Sequence, residues 1–373
     1  MTILIAPDKF KGSLSAQEVC DLISSELASH GSYEIVALPL ADGGEGTCEL
    51  LTTFSGGTMV SIPVRDPLAR TIDSAFGVSK DGRIAFLEMA TASGLQLLKK
   101  EGRNPLFTTT LGTGDLIRHA LDSGVDHIIM GVGGSATNDG GMGMAESLGV
   151  VFYDSSGSKL SGNGQNLARI QSLDSSRIHP RLAKVKFTIF CDVDNPLHGT
   201  NGAAYVFSPQ KGADEKMVKE LDNGLKHYEM MLRSHTGRGV NFPGAGAGGG
   251  LPASLKAFAS IEIRRGMDFI AEFTKLEEKI NHADYVITGE GKVDNQTLSG
   301  KVVKGVADLA GKHKIPVIII AGKNELDSQS IASLGAARVV TLVGEGVGEQ
   351  EAIERAPAVL KMRVREQIIP LFL

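Results

Sequence analysis

The chain has 373 residues, 42% of them hydrophobic and 22% charged, with 46 glycines and no tryptophan. That length suits two domains, each burying its own core, and excludes a disulfide-stapled miniature. Lysine and arginine number 38 against 43 acidic residues, a formal net charge of −5, and no basic run marks a nucleic-acid or anionic-membrane surface, so neither is expected as a partner.

The first apolar run, Ile3 to Ala6, gives way at once to Asp8 and Lys9. It is too short for a signal-peptide core and fits a buried strand, TILIAPDKF. Helical spacing follows over Ser15 to Ser29. From Thr58, the stretch TMVSIPVRDPLARTIDSAFGVSKDGRIAFLEMA has the look of successive strands joined by turns, an antiparallel element. A helix over Asp115 to Ser123 precedes the strand DHIIMGVGG, and KFTIFCDVD precedes a helix over Met217 to Arg233. PGAGAGGG, residues 243–250, is expected to be a loop. The last third alternates DYVITGEGK, a helix over Gly300 to His313, PVIIIAGKN, a helix over Ser328 to Leu334, and RVVTLVGEG.

Apolar runs this continuous fit strands covered on both faces, and their alternation with helices predicts parallel α/β architecture. Because that rhythm occurs on both sides of the antiparallel stretch, one domain is expected from both chain ends, 1–66 with 283–373. The inserted domain would span 67–282. No run approaches 18 apolar residues, and Cys20, Cys48 and Cys191 are far apart with no C-x-x-C spacing. Buried thiols in a cytoplasmic protein are the expectation.

In open α/β sheets ligands bind beyond the carboxyl ends of the strands, and polar clusters stand at those positions. Asp8, Lys9, Lys11 and Ser13 follow the first strand, and Asp42 and Glu45 lie within ADGGEGT. Asp192, Asp194 and Asn195 follow TIFC, while Glu290, Lys292, Asp294, Thr297 and Lys301 follow DYVIT. Glycine backbones, ammonium groups and carboxylates in combination suit phosphate chemistry. Any one cluster could instead be a polar loop capping a strand.

GVGGSA, residues 131–136, matches a dinucleotide fingerprint in outline, with Asp154 some twenty residues on. A dinucleotide site needs a helix starting inside the motif, and Asn138-Asp139-Gly140-Gly141 would disrupt its first turns. An NAD-dependent 2-hydroxyacid oxidoreductase is therefore the lesser alternative, beside a non-catalytic nucleotide sensor. No Walker A loop, G-x-S-x-G elbow or zinc spacing occurs.

Seven stretches in order, APDKFKGSLSA, ADGGEGT, GVGGSATNDGGMG, CDVDNPL, FSPQKGA, PGAGAGGGL and GEGKVDNQTLSGK, resemble the bacterial glycerate kinases that lack a Walker A motif. The resemblance covers almost the whole chain. It implies transfer of the γ-phosphoryl group of Mg-ATP to a hydroxyl of D-glycerate, with 2-phosphoglycerate the favoured product. It also implies two α/β domains, one mainly parallel, three-layer and flavodoxin-like, the other with a mixed sheet, and an active site in the cleft between them. Ala69 departs from the family's DPLGR-like pattern, where glycine stands.

Phosphoryl transfer needs a carboxylate to take the acceptor's proton and cations around the moving oxygens. On this reading Asp192 is the nominated base and Asp294 its competitor, with Asp294 and Asp194 as candidate Mg²⁺ ligands. Lys9, Lys11 and Lys301 are assigned to phosphate or substrate carboxylate, the first two beside a helix N-terminus at Ser13 to Ala16. Asp42 and Ser13 are assigned to glycerate. Gly133, Gly134, Ser135, Thr137, Asn138 and Asp139, with Gly289, Glu290 and Gly291, are assigned to the nucleotide. The oligomeric state is not legible.

Overall fold

A computed structural model describes residues 1–372. Its contacts divide the chain into two compact units, 1–42 with 267–373 and 43–266. The first unit opens with β1 (Thr2–Ile5) and β2 (Glu34–Ala37). The second carries β3 (Thr58–Arg65), β4 (Thr71–Val78), β5 (Ile84–Glu88), β6 (His127–Gly131), β7 (Val151–Tyr153), β8 (Lys159–Leu160), β9 (Ser172–Asp174), β10 (Lys186–Phe190) and β11 (Ser260–Arg264). The chain then returns to the first unit with β12 (Tyr285–Val293), β13 (Val317–Asn324) and β14 (Arg338–Thr341).

The first unit is a five-stranded sheet in the order β14-β13-β12-β1-β2, parallel throughout. Ile3, Ile5, Ile287, Ile318 and Ile320 are buried in one core with Val19, Ile23 and Leu27. These last three lie on the helix Ala16–Ala28, each four residues from the next, as one helical face requires.

The second unit is built on a six-stranded sheet, β11-β10-β6-β5-β4-β3. Its β11, β10, β6 and β5 are parallel, whereas β3 and β4 form an antiparallel hairpin continued antiparallel into β5. A small antiparallel sheet, β8-β7-β9, accompanies it. A largely parallel sheet and a mixed one are thus both present, as expected for the α/β class.

Two expectations need correction. The contacts break the chain at 42/43 and 266/267 rather than near 66 and 283. All eight residues of β3 pair with β4, so residues 58–65 belong with the hairpin that follows. The helix expected from Asp115 begins at Leu111, because Gly112 and Gly114, which look like breakers, are contact points. A Cβ at 112 would stand 1.7 Å from the Arg65 carbonyl oxygen, and one at 114 would stand 2.7 Å from the Met144 oxygen. Tertiary packing here outweighs low helix propensity.

The PGAGAGGG stretch is an ordered turn with Ala245 and Ala247 buried. Cys20, Cys48 and Cys191 are buried and unbridged. Among the described residues no helix is long and apolar enough to cross a membrane.

Candidate functional site

In the first unit, parallel pairing gathers carboxylates around the end of β1, and β12 runs on to Val293, so Glu290 and Lys292 lie inside that strand rather than beyond its end as the sequence suggests. The Asp8 N–H donates to the Gly289 carbonyl at 2.8 Å, extending the β1–β12 ladder past its last registered pair. Leu38 and Leu40 donate to the Ile5 and Pro7 carbonyls at 2.8 and 2.9 Å, carrying the chain alongside β1 as far as Asp42. Burial, then the neighbouring Asp42 carboxylate and Glu290, push the Asp8 carboxyl up to about 7 against the N–H and charge of Lys9. Glu290 is pushed to about 7 as well, by burial and then by Asp294 and Asp42. The Thr297 hydroxyl, donating at 2.6 Å, and the Lys301 charge oppose that rise.

Lys301 lies 3.7 Å from Asp42 and donates to Gln296 Oε1 at 3.1 Å. Its backbone forms the N-cap of the helix Val302–His313. Desolvation works against ionisation at Asp294, yet the Gln296 N–H and the Lys292 ammonium hold its carboxyl below the usual range. Asp8, Lys9, Asp42, Glu290, Asp294 and Lys301 are thus linked by one network of contacts and charge interactions. In the sequence Asp8 is only one member of a polar cluster. The rise of its carboxyl pKa comes first from burial and then from Asp42 and Glu290, carboxylates distant in sequence that the strand pairing brings near.

Three first-unit expectations change. The helix after β1 starts at Ala16 with a full capping box: Ser15 Oγ accepts from Glu18 N, and the Glu18 carboxylate accepts from Ser15 N. This N-terminus already holds its own anion, so the case for Lys9 and Lys11 as anion ligands rests on their ammonium charges and the resemblance, not on the helix dipole. Lys11 is exposed, and the Ser13 hydroxyl is buried with no hydrogen-bond partner among the described residues. Gly289 and Gly291 have a packing reason: a Cβ at 289 would lie 2.1 Å from the Ile320 oxygen, and one at 291 would lie 2.9 Å from Lys11 N.

In the second unit β6 and β10 are parallel neighbours with Gly131 paired to Phe190, so the loops after them leave the same edge of the sheet. Asp192 and Asp194 are exposed there, and Asp192 accepts from Gly266 N at 3.2 Å. Gly133 and Gly134 are exposed at the start of the other loop.

That loop then turns inward, so Thr137, Asn138 and Asp139, expected to meet the nucleotide, do not present their side chains at the surface. All three are fully buried. Asp139 accepts from Thr110 N and Thr110 Oγ1, both at 2.8 Å, and from Gly141 N and Gly143 N at 3.0 and 3.1 Å. Burial raises its pKa against these four donors. The next helix begins at Met142, beyond Gly141 with φ 79°, so no dinucleotide-type turn runs from β6 straight into a helix. Lys211, unassigned from sequence, reaches into the loop and donates to Ser135 Oγ at 2.8 Å and the Thr137 carbonyl at 2.7 Å. Burial pulls its ammonium down to about 7, with Asp139 opposing.

The family profile for glycerate kinases matches residues 3–372. The chain is 43% identical over 367 residues to a Bacillus cereus protein named glycerate kinase, covering 98% of this chain and 96% of that one. It is 46% identical over 326 residues to an Escherichia coli protein named glycerate 2-kinase, covering 86% and 85%. A crystal structure described as a candidate glycerate kinase 2 from Salmonella typhimurium LT2 aligns with a TM-score of 0.88 at 41% identity, covering 100% of this chain and 98% of that one. A two-unit α/β protein with carboxylates and lysines gathered at its strand ends has the makings of a phosphotransferase, and these likenesses define which one. The chain belongs to the glycerate kinase family, and its class of activity is that of a kinase.

Proposed function

We propose that the protein transfers the γ-phosphoryl group of ATP to D-glycerate, with 2-phosphoglycerate as product. The observation that carries this reading is the first-unit network. Its lysines, Lys301 and Lys9, supply cations for an anionic substrate, and the carboxyls gathered beside them include, in Asp8, a second candidate proton acceptor. The 46% identity to a protein named glycerate 2-kinase supports the choice of hydroxyl.

Asp192 is proposed as the base, exposed at the end of β10. Asp8 is the second reading, favoured by a carboxyl pushed to about 7, where a general base works best. Asp294 stays the competing choice of base, its carboxyl held below the usual range by the Gln296 N–H and the Lys292 ammonium. Lys9, Lys11 and Lys301 are assigned to anionic oxygens, and Asp42 and Ser13 to glycerate. Gly133, Gly134 and Ser135 are assigned to nucleotide phosphates, with Glu290 and its flanking glycines 289 and 291 beside them.

The donor set fits Mg²⁺. In the first unit Asp294, held ionised, offers a hard oxygen, and the mutual repulsion of Asp8, Asp42 and Glu290 is the kind a cation relieves; Asp194, exposed in the second unit, is kept as a candidate ligand on the resemblance alone. Among the described residues no group of three or more His, Cys, Asp or Glu side chains could hold a metal, so most of the ion's ligands would have to be waters and substrate phosphates. When bound, it would neutralise charge on the triphosphate.

The test is ATP consumption by the purified protein with D-glycerate and Mg²⁺, each omitted in turn, followed by phosphorus NMR of the product. Phosphate on the 2-hydroxyl, with turnover abolished by EDTA, is expected. Full turnover in chelator would overturn the metal assignment, and a 3-phosphate product would overturn the choice of hydroxyl.

A further inference from the structure

The 131–141 loop leaves three side-chain polar atoms, Thr137 Oγ1, Asn138 Nδ2 and Asn138 Oδ1, buried without partners among the described residues. The Thr137 and Asn138 side chains therefore do not account for its shape. Two buried titratable groups do: the loop's own Asp139, accepting from four donors, and Lys211, which enters from more than 70 residues away and ties Ser135 to Thr137. A glycine completes the enclosure, since a Cβ at 249 would stand 2.0 Å from the Thr137 oxygen.

A lysine 2% exposed is a costly brace, because a neutral side chain of similar length would fill the same space without desolvating an ammonium. What only the lysine adds is charge. That charge lies directly behind Ser135, whose neighbours Gly133 and Gly134 are the exposed part of the loop.

The geometry points to Lys211 as a positioning residue for phosphoryl transfer: its buried ammonium holds Ser135 and the Thr137 carbonyl in place and sets a positive charge behind the exposed glycines that meet the nucleotide's phosphates. This rests on the assignment of that loop to the nucleotide made above. The titratable groups facing Lys211 are Asp139 and, beyond it, Tyr228, whose phenol burial pushes up. With the ammonium drawn down to about 7, the charge is lost as pH rises through neutrality, and catalysis weakens on the alkaline side.

The experiment is Lys211→Met, assayed with ATP and D-glycerate from pH 6 to 9, alongside thermal unfolding. A drop in kcat of about 10–100-fold is expected at pH 6.5, with KM for glycerate unchanged within about twofold, the thermal midpoint equal or higher, and the wild type's alkaline decline absent. Parallel loss of stability and activity, or an unchanged alkaline limb, would overturn the proposal and leave Lys211 a brace. If the Met variant does not fold, Asp139→Asn decides: removing the charge that supports the ammonium should move the wild-type alkaline limb to lower pH, and an unmoved limb overturns the proposal. Failure of the wild type itself to consume ATP with glycerate would instead strike the functional reading on which this rests.

Discussion

The network of the first unit and the loop of the second are shaped by one physical effect acting on opposite charges. At Asp8 and Glu290 desolvation pushes carboxyls up to about 7, and at Lys211 it pulls an ammonium down to about 7. The surroundings differ. Asp8 and Glu290 are only partly buried and face other carboxylates, so their excess charge is available to a ligand. Lys211 is enclosed and spends its hydrogen bonds on protein atoms. Burial alone therefore does not mark a reactive group; what matters is whether its partners are protein or remain to be supplied.

The sharpest way to break this contrast is at the proton acceptor. Asp192→Asn should lower kcat by about 10²–10⁴-fold with little change in substrate affinity, the range of general-base contributions. Steady-state kinetics within a few-fold of wild type would move the role to Asp8 and make the first-unit network the chemical centre. A smaller effect concerns coupling within that network. Glu290→Gln removes a carboxylate that raises the pKa of Asp8, so an acidic limb governed by Asp8 should move to lower pH. Measured at pH 6 against its own plateau, kcat/KM should then rise, by up to about tenfold if the limb moves by a whole pH unit. A limb that stays where it was would show that Asp8 does not govern it.

The same coupling should appear in stability. A carboxyl with its folded pKa near 7 and an ordinary value of 3.8 leaves the folded state holding more protons than the unfolded one between those values. Its stabilising contribution is complete below about pH 4 and is lost as pH rises through 7. Asp8→Asn should accordingly raise the thermal midpoint at pH 8, by about 2–4 °C for each kcal/mol recovered, and give no such gain at pH 4. Equal gains at both pH values would assign the effect to packing.

The smallest effect lies away from both regions. Ala69 has φ 60°, at the tip of a turn whose Asp66 carboxylate accepts from Leu68 N and Arg70 N. An alanine in the left-handed region costs about 1–2 kcal/mol. Ala69→Gly should raise the midpoint by about 2–4 °C for each kcal/mol relieved, in thermal melts, while leaving kcat unchanged.

Where the fold is legible in the sequence, the signal is local. The continuous apolar runs around Ile128, Ile189 and Ile319 mark interior strands, and Asp192 does follow its strand, whereas Glu290 and Lys292 lie inside β12 and Lys323 inside β13, strands that run on past their apolar stretch. Where it is not, the deciding partner is usually distant. Glu18 is the exception: it closes the helix N-terminus offered to Lys9 and Lys11, and its capping box can be read in SLSAQE once Ser15 is taken as the cap. Nothing near FSPQKGA indicates that Lys211 is buried, since its acceptors lie 74 and 76 residues earlier. NDGG suggests exposed donors because the four groups that occupy Asp139 include Thr110, 29 residues before it.

The pairing of β1 with β12 has a consequence for how the chain is made. Ile3 meets Tyr285 in the ladder, so the centre of the first sheet joins strands that leave the ribosome far apart in time. At about 5–20 residues per second, β1 waits roughly 15–60 s for its neighbour. The second unit is one continuous stretch, 43–266, and all its strands emerge within that interval. Until β12 arrives, TILI is an apolar strand with one edge unpaired, the kind of segment that aggregates or recruits chaperones. The order of synthesis thus favours a chain whose middle is folded before its beginning.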